Sequence, residues 1–200
     1  SMYDGINYTT LEKTESGMSI IKHSYSDENK HEILVDAVDL KIDEKQIAIG
    51  DYSFSADEKK LLIATDKKSI YRYSSKSHYY VFDIATKKLT KLTNGNRQMY
   101  ATFSPSGNKV AFVRDNNLFY TDLNTGKEVA ITTDGKKNEI INGASDWVYE
   151  EELELVKAFK WSPDGEKIAF YRFDESTVKE WMMKMYGDLY PEEYRFKYPK

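Results

Sequence analysis

The sequence predicts an all-β fold assembled from repeated small antiparallel sheets, and three observations predict it. First, a motif recurs: "FSADEKKLLIAT" from Phe54, "FSPSGNKVAFVR" from Phe103 and "WSPDGEKIAFYR" from Trp161, 49 and 58 residues apart. Each copy reads aromatic, Ser, Pro or Ala, a turn, Lys, then an alternating apolar strand. Second, the stretches between copies break into short apolar runs at tight turns, the pattern of hairpin-linked strands. Third, 16 Tyr, 9 Phe and 3 Trp stand against 4 Pro in 200 residues, a composition that suits strands rather than a helix bundle. Periods of roughly 40–50 residues holding several strands indicate β-propeller blades or a similar array. The expected fold is therefore a partial β-propeller of about three four-stranded blades and the start of a fourth.

The middle copy is the clearest. "YATFSP" is a strand, "SGN" a turn in which Gly107 can take positive φ, and "KVAFVRD" a strand apolar on both faces. "LFYTDL", the turn "NTG" and "KEVAITT" complete four strands. The preceding blade repeats the plan in "DYSFS", "KLLIAT", "HYYVFDI" and "KLTKLT". Before it, "INYTTLE", "MSIIKHSYS" and "HEILVD" read as an earlier, more divergent blade. The chain opens "SMYDGINYTT", already patterned like a strand. The last copy supplies two strands, "AFKWSP" and "KIAFYRF". Propellers usually have 4 to 8 blades, so the expectation is a segment, residues 1–200, of a larger protein.

Charge and composition exclude several classes. Lys and Arg number 29 against 33 Asp and Glu, a net charge of −4. With no basic tract, nucleic acid is not an expected partner. No apolar run reaches the roughly 20 residues of a membrane span. There is no Cys, hence no disulfide or thiolate metal site. The sequence shows no signal peptide, which says little about the native gene. No phosphate-binding glycine loop and no catalytic nucleophile are present. "GASDW" lacks the closing Gly of a nucleophile elbow. His23, His31 and His78 are scattered, without metal-like neighbours. Neither a metal nor a cofactor is expected.

Function is usually grafted where repeats are interrupted. Residues 66–77, "DKKSIYRYSSKS", separate two strands of one blade and carry Arg72 between Tyr71 and Tyr73. On pattern alone this is a solvated hairpin tip. A second interruption, "KKNEIINGASDWVYEEELELVKA", joins two blades. Ser145 or Asp146 can cap a short helix there, and the following glutamates Glu150, Glu151 and Glu152 suit the positive end of its dipole. On a strand, Glu151 and Glu152 would diverge; on a helical turn both can approach one point. The plain alternative is an ordinary acidic first turn, with Trp147 packing into a blade seam. A hard cation needs more oxygen ligands than these. The final stretch, "FDESTVKEWMMKMYGDLYPEEYRFKYPK", is a third insertion or an extended arm. Trp181, Met182, Met183, Met185 and Tyr186 there can line a cavity or an interface, but core is the commoner use of such a cluster.

"NGASDWVYEEE" resembles the double-Glu motif of the dipeptidyl peptidase IV family of prolyl oligopeptidase-type serine peptidases. "IYRYSSKSHYYVFDI" resembles that family's segment carrying a substrate-binding Arg, and the final stretch is similar to its bacterial members. The resemblance implies an N-terminal propeller followed by a C-terminal α/β-hydrolase domain that is not in this chain. It implies release of N-terminal dipeptides with Pro or Ala in second position. Glu151 and Glu152 match the pair that binds the substrate's free amine, and Arg72 matches the Arg beside the substrate carbonyl. Asp146, Trp147, Tyr149 and Glu150 would support them. The catalytic Ser, Asp and His belong to the hydrolase domain, so this segment is expected to bind and not to hydrolyse. A homodimer and a periplasmic or cell-surface location follow from the same resemblance. Two alternatives stand beside it: a non-enzymatic TolB- or WD-like scaffold propeller, which the repeat alone would suit, and the propeller of a prolyl tripeptidyl peptidase.

Overall fold

A computed structural model describes residues 5–198, so residues 1–4 of the strand-like opening and 199–200 of the final stretch lie outside the described residues. The fold is all-β, with one short helix. The earliest sheet has three strands, β1 (Asn7–Thr14), β2 (Gly17–Ser24) and β3 (His31–Val35). A 3-10 turn over Ala37–Asp39 follows, with Asp36 accepting from the Val38 N–H. It leads into the short pair β4 (Lys41–Ile42) and β5 (Lys45–Gln46). The next sheet is β6 (Asp51–Phe54), β7 (Lys60–Ser69), β8 (Ser75–Asp83) and β9 (Lys88–Lys91). The third is β10 (Met99–Phe103), β11 (Lys109–Arg114), β12 (Asn117–Asp122) and β13 (Glu128–Ala130). Both are antiparallel meanders in sequence order, as the repeat predicts.

Packing explains why the inner strands are apolar on both faces. Leu61 and Ile63 of β7 pack with Ile20, Val35 and Phe82 on the side of the first sheet. Leu62 between them packs the other way, with Val110 and Phe112 of β11. Ala111 and Val113 of β11 in turn face Leu118, Ala144 and Phe159. Successive side chains on a strand point to opposite faces, so each sheet is gripped by its two neighbours. This is face-to-face blade packing, and three apolar layers, one per seam, form the core.

The remaining elements depart in part from the sequence reading. They are β14 (Ile140–Asn142), α1 (Trp147–Leu153), β15 (Phe159–Trp161), β16 (Ile168–Phe170), β17 (Arg172–Asp174), β18 (Glu180–Met185) and β19 (Glu192–Lys197). "KIAFYRF" is two strands, not one. β16 pairs with β15, but β17 pairs with β14, which belongs to the interruption. The exchange happens at Tyr171, whose N–H donates to the Ala158 carbonyl and whose carbonyl accepts from the Gly143 N–H. The first interruption is likewise less separate than its sequence suggests. β7 and β8 run on through it, with a register shift between Thr65 and Lys68, and only residues 70–74 form the tip.

β18 and β19 form a two-stranded arm. Its Trp181 and Tyr186 are 63% and 80% exposed, and Met182, Met183 and Met185 are exposed too. The core use of this cluster is thus overturned: all six positions of β18 are exposed, on both faces of the strand.

Candidate functional site

The segment carrying the glutamates is closed at its base. Gly143 and Ser145 pair with Ala158 and Val156: the Ala158 N–H donates to the Gly143 carbonyl (3.0 Å) and the Ser145 N–H to the Val156 carbonyl (3.2 Å). Gly143 sits at φ +75°, where a Cβ would lie 3.1 Å from both Leu118 Cδ1 and Val113 Cγ2. Only glycine fits both the backbone and the space.

Within this base, α1 is capped by Asp146 rather than Ser145. The Asp146 carboxylate accepts from the Tyr149 N–H at 2.8 Å. The helix stops at Glu154, which is left-handed (φ 53°) and donates back to the Glu150 and Tyr149 carbonyls. Two of its aromatic residues brace it from outside. Tyr149 meets Phe173 of β17 edge-on, with ring centres 4.9 Å apart. Trp147 packs on Phe196 and Tyr198, so it binds the helix to the arm and not to a blade seam. A broad ring reaches whichever apolar surface is nearest, and β19 lies there.

The helix and the 70–74 tip meet through consecutive carboxylates. Glu150 is buried, and its Oε1 accepts from the Tyr73 N–H at 2.7 Å and the Ser74 N–H at 2.8 Å. Glu151 Oε2 lies 3.3 Å from Arg72 Nε. Its side chain is 17% exposed against 66% for Arg72, so the pair is wet on the cation side and of modest strength by itself. Glu152 is exposed and has no partner among the described residues. Of the three positions that the sequence singles out for binding, the structure therefore joins Arg72 and Glu151 and leaves Glu152 facing solvent beside them.

A cavity of about 580 Å³ lies on the inner side of the helix, lined by Tyr71, Ser74, Tyr100, Glu150, Glu175 and Tyr194 among others. Arg72, Glu151 and Glu152 do not line it. Several of its groups are absent from the sequence reading. Tyr100 has φ +57° inside a bulge of β10, an outlying conformation for a bulky residue. Burial raises its phenol pKa, and nearby Glu150 raises it further. Burial raises the Tyr71 phenol pKa, and its hydroxyl lies 3.2 Å from that of Tyr194. Burial, and then the Asp146 carboxylate, push Glu175 up to about 7, with Lys197 acting against them. No sequence signal marks Tyr100, since a bulge has no fixed motif. Glu175 reads only as part of an acidic turn. Among the described residues, no group of three or more His, Asp or Glu is arranged to hold a metal ion. No helix there is long and apolar enough to cross a membrane.

Arg72 and the three glutamates fall inside a wider match. The family model for the dipeptidyl peptidase IV (DPP IV) N-terminal region matches residues 55–200. The chain belongs to that family. The crystal structure of Porphyromonas gingivalis dipeptidyl peptidase 4 superposes with a TM-score of 0.89 at 40% identity, covering 100% of this chain and 28% of that one. Dipeptidyl aminopeptidase B of Saccharomyces cerevisiae is 33% identical over 187 residues, which is 91% of this chain and 23% of the relative. Prolyl endopeptidase FAP of Mus musculus is 34% identical over 159 residues, 78% of this chain and 21% of that protein. The chain thus spans about a quarter of the length of these DPP IV-family relatives.

Proposed function

We propose that this chain is the substrate-selecting propeller segment of a DPP IV-like serine exopeptidase that releases N-terminal X-Pro or X-Ala dipeptides. Glu151 and Glu152 bind the free N-terminal amine of the substrate. Arg72 holds Glu151 and faces the substrate's carbonyl region. The catalytic Ser, Asp and His belong to a C-terminal hydrolase domain of the same protein, and the segment alone does not hydrolyse. A homodimer at the periplasmic or cell-surface side completes the proposal.

The observation that carries this reading is the ion pair between Arg72 and Glu151, made by two family-matching motifs that are far apart in sequence. The chemistry is suited to the role. A peptide α-amine has an ordinary pKa of about 7.7–8.0 and is largely cationic at neutral pH. Carboxylates around it form charge-assisted hydrogen bonds. At an effective dielectric of 20, one such pair at 4 Å is worth about 4 kcal/mol before desolvation. Two neighbouring carboxylates repel, and Arg72 relieves that repulsion. Holding the amine also measures the substrate: the bond offered to the nucleophile is the one a fixed distance from the terminus, and binding energy spent at the amine positions it.

The test uses the full-length protein, extended past Lys200. Gly-Pro and Ala-Pro chromogenic substrates are offered with a free amine and with an N-acetyl cap, beside a tripeptidyl substrate. Cleavage of the free-amine dipeptidyl form alone is expected. Equal cleavage of capped and free forms refutes the amine clamp. Preference for the tripeptidyl form assigns the sister activity, and no cleavage at all leaves a scaffold propeller.

A further inference from the structure

We infer that Glu150 is the positioning residue of this site: its buried carboxylate holds the backbone next to Arg72 and so sets where Arg72 meets Glu151. The inference rests on the role given above to Arg72 and Glu151, and it adds a residue that acts through them. Glu150 is 2% exposed, and one of its oxygens accepts both N–H groups that directly follow Arg72, at 2.7 and 2.8 Å. Those two residues stand 77 and 76 positions away in sequence. Inside the tip, the Ile70 N–H donates to the Ser74 carbonyl and the Tyr71 N–H to the Ser74 hydroxyl. The Tyr73 and Ser74 donors take Glu150 instead. Removing that acceptor strands the Ser74 N–H, in a residue only 3% exposed, at the cost of an unmet buried donor.

Helix geometry makes the arrangement work. Consecutive residues on an α-helix point about 100° apart. Glu150 therefore turns inward to the tip's backbone, Glu151 sideways to the Arg72 side chain, and Glu152 outward. A helix that rotated or a tip that slid would break the backbone contact and the ion pair together. The two contacts thus fix one another, and a flexible, two-thirds-exposed Arg gains a defined root.

The test compares Glu150→Ala, Glu150→Asp and Glu150→Gln in the full-length protein with Arg72→Ala and Glu151→Ala. Gln keeps an acceptor oxygen at the same reach, whereas Asp keeps the charge but withdraws it by one methylene. For a free-amine dipeptidyl substrate, Glu150→Ala and Glu150→Asp are expected to raise KM on the order of tenfold, with kcat much less affected. Glu150→Gln is expected to restore most of the loss. Because Glu150 acts through Arg72, the double variant with Arg72→Ala should lose less than the product of the single losses. Hydrogen exchange of the peptide covering residues 70–76 should quicken in Ala and Asp and stay slow in Gln, whatever the activity. Native KM in Ala and Asp, fully multiplicative losses, or Gln as poor as Ala would each overturn the positioning role. If Glu151→Ala itself cleaves normally, the amine clamp fails, and exchange at 70–76 still decides the tether. Where Glu150→Ala does not fold, Asp and Gln carry the comparison.

Discussion

Replacing Glu175 by Gln keeps the shape of a buried side chain and removes its charge, which isolates the effect of that charge on stability. Glu175 is 7% exposed, lies by the Asp146 carboxylate, and has a pKa of about 7 against an ordinary 4.5. A carboxyl raised in the fold contributes stability that is complete below its unfolded pKa and is lost as pH rises through its folded pKa. The loss therefore runs from about pH 4.5 to somewhat above pH 7. Each pKa unit corresponds to about 1.4 kcal/mol, so the displacement caps the loss at roughly 3 kcal/mol. Gln has no such slope. Thermal unfolding of the full-length protein and of Glu175→Gln, followed from about pH 5 to about pH 8, should give similar melting temperatures at the acid end. At the alkaline end Gln should melt higher, by less than the about 2–4 °C per kcal/mol of a 150–250-residue domain, because the full-length protein is longer. Parallel pH profiles for the two proteins would refute the argument, as would a native protein more stable than the variant at about pH 8.

Two further substitutions probe the frame around the site. Gly143→Ala forces a side chain into positive φ and against Leu118 and Val113; a loss of about 1–3 kcal/mol, read as a lower urea midpoint, is expected, and an unchanged midpoint would deny that glycine is required there. Arg114→Met removes the paired contacts to Glu128 at 2.5 and 2.9 Å and the cation over the Phe119 ring at 4.4 Å. Because Arg114 holds the Glu128 pKa below its ordinary value, the variant should be less stable than the native protein by about 1 kcal/mol at neutral pH. The difference should shrink as pH falls through the carboxylate range, and a constant difference would assign the effect to packing alone.

Blade boundaries were legible because β7 and β11 alternate without a polar face, and a strand apolar on both sides needs a sheet on each. Leu61, Leu62 and Ile63 meet that requirement in turn. The helix was legible for a local reason: Asp146 can cap only what directly follows it. The inward turn of Glu150 was not legible, since its acceptor role depends on backbone N–H groups in a different blade, and backbone donors have no letter in a sequence. The partner change at Tyr171 was hidden because β16 and β17 read as one apolar run. Trp181 and the methionines of β18 misled for the opposite reason. An apolar residue looks the same in sequence whether a second layer covers it or not.

The double hydrogen-bonded base at Gly143–Ser145 and Val156–Ala158 has a consequence for how this family can vary. With its two ends already tied to each other, the stretch from 146 to 155 is a cassette seated on the rim of the sheets. Lengthening or shortening such a closed loop changes its ordering entropy only slowly with length and leaves the ladders beneath in register. A change of length outside α1 can thus be taken up inside the cassette without rotating Glu150 away from the tip, while the blades below stay unchanged.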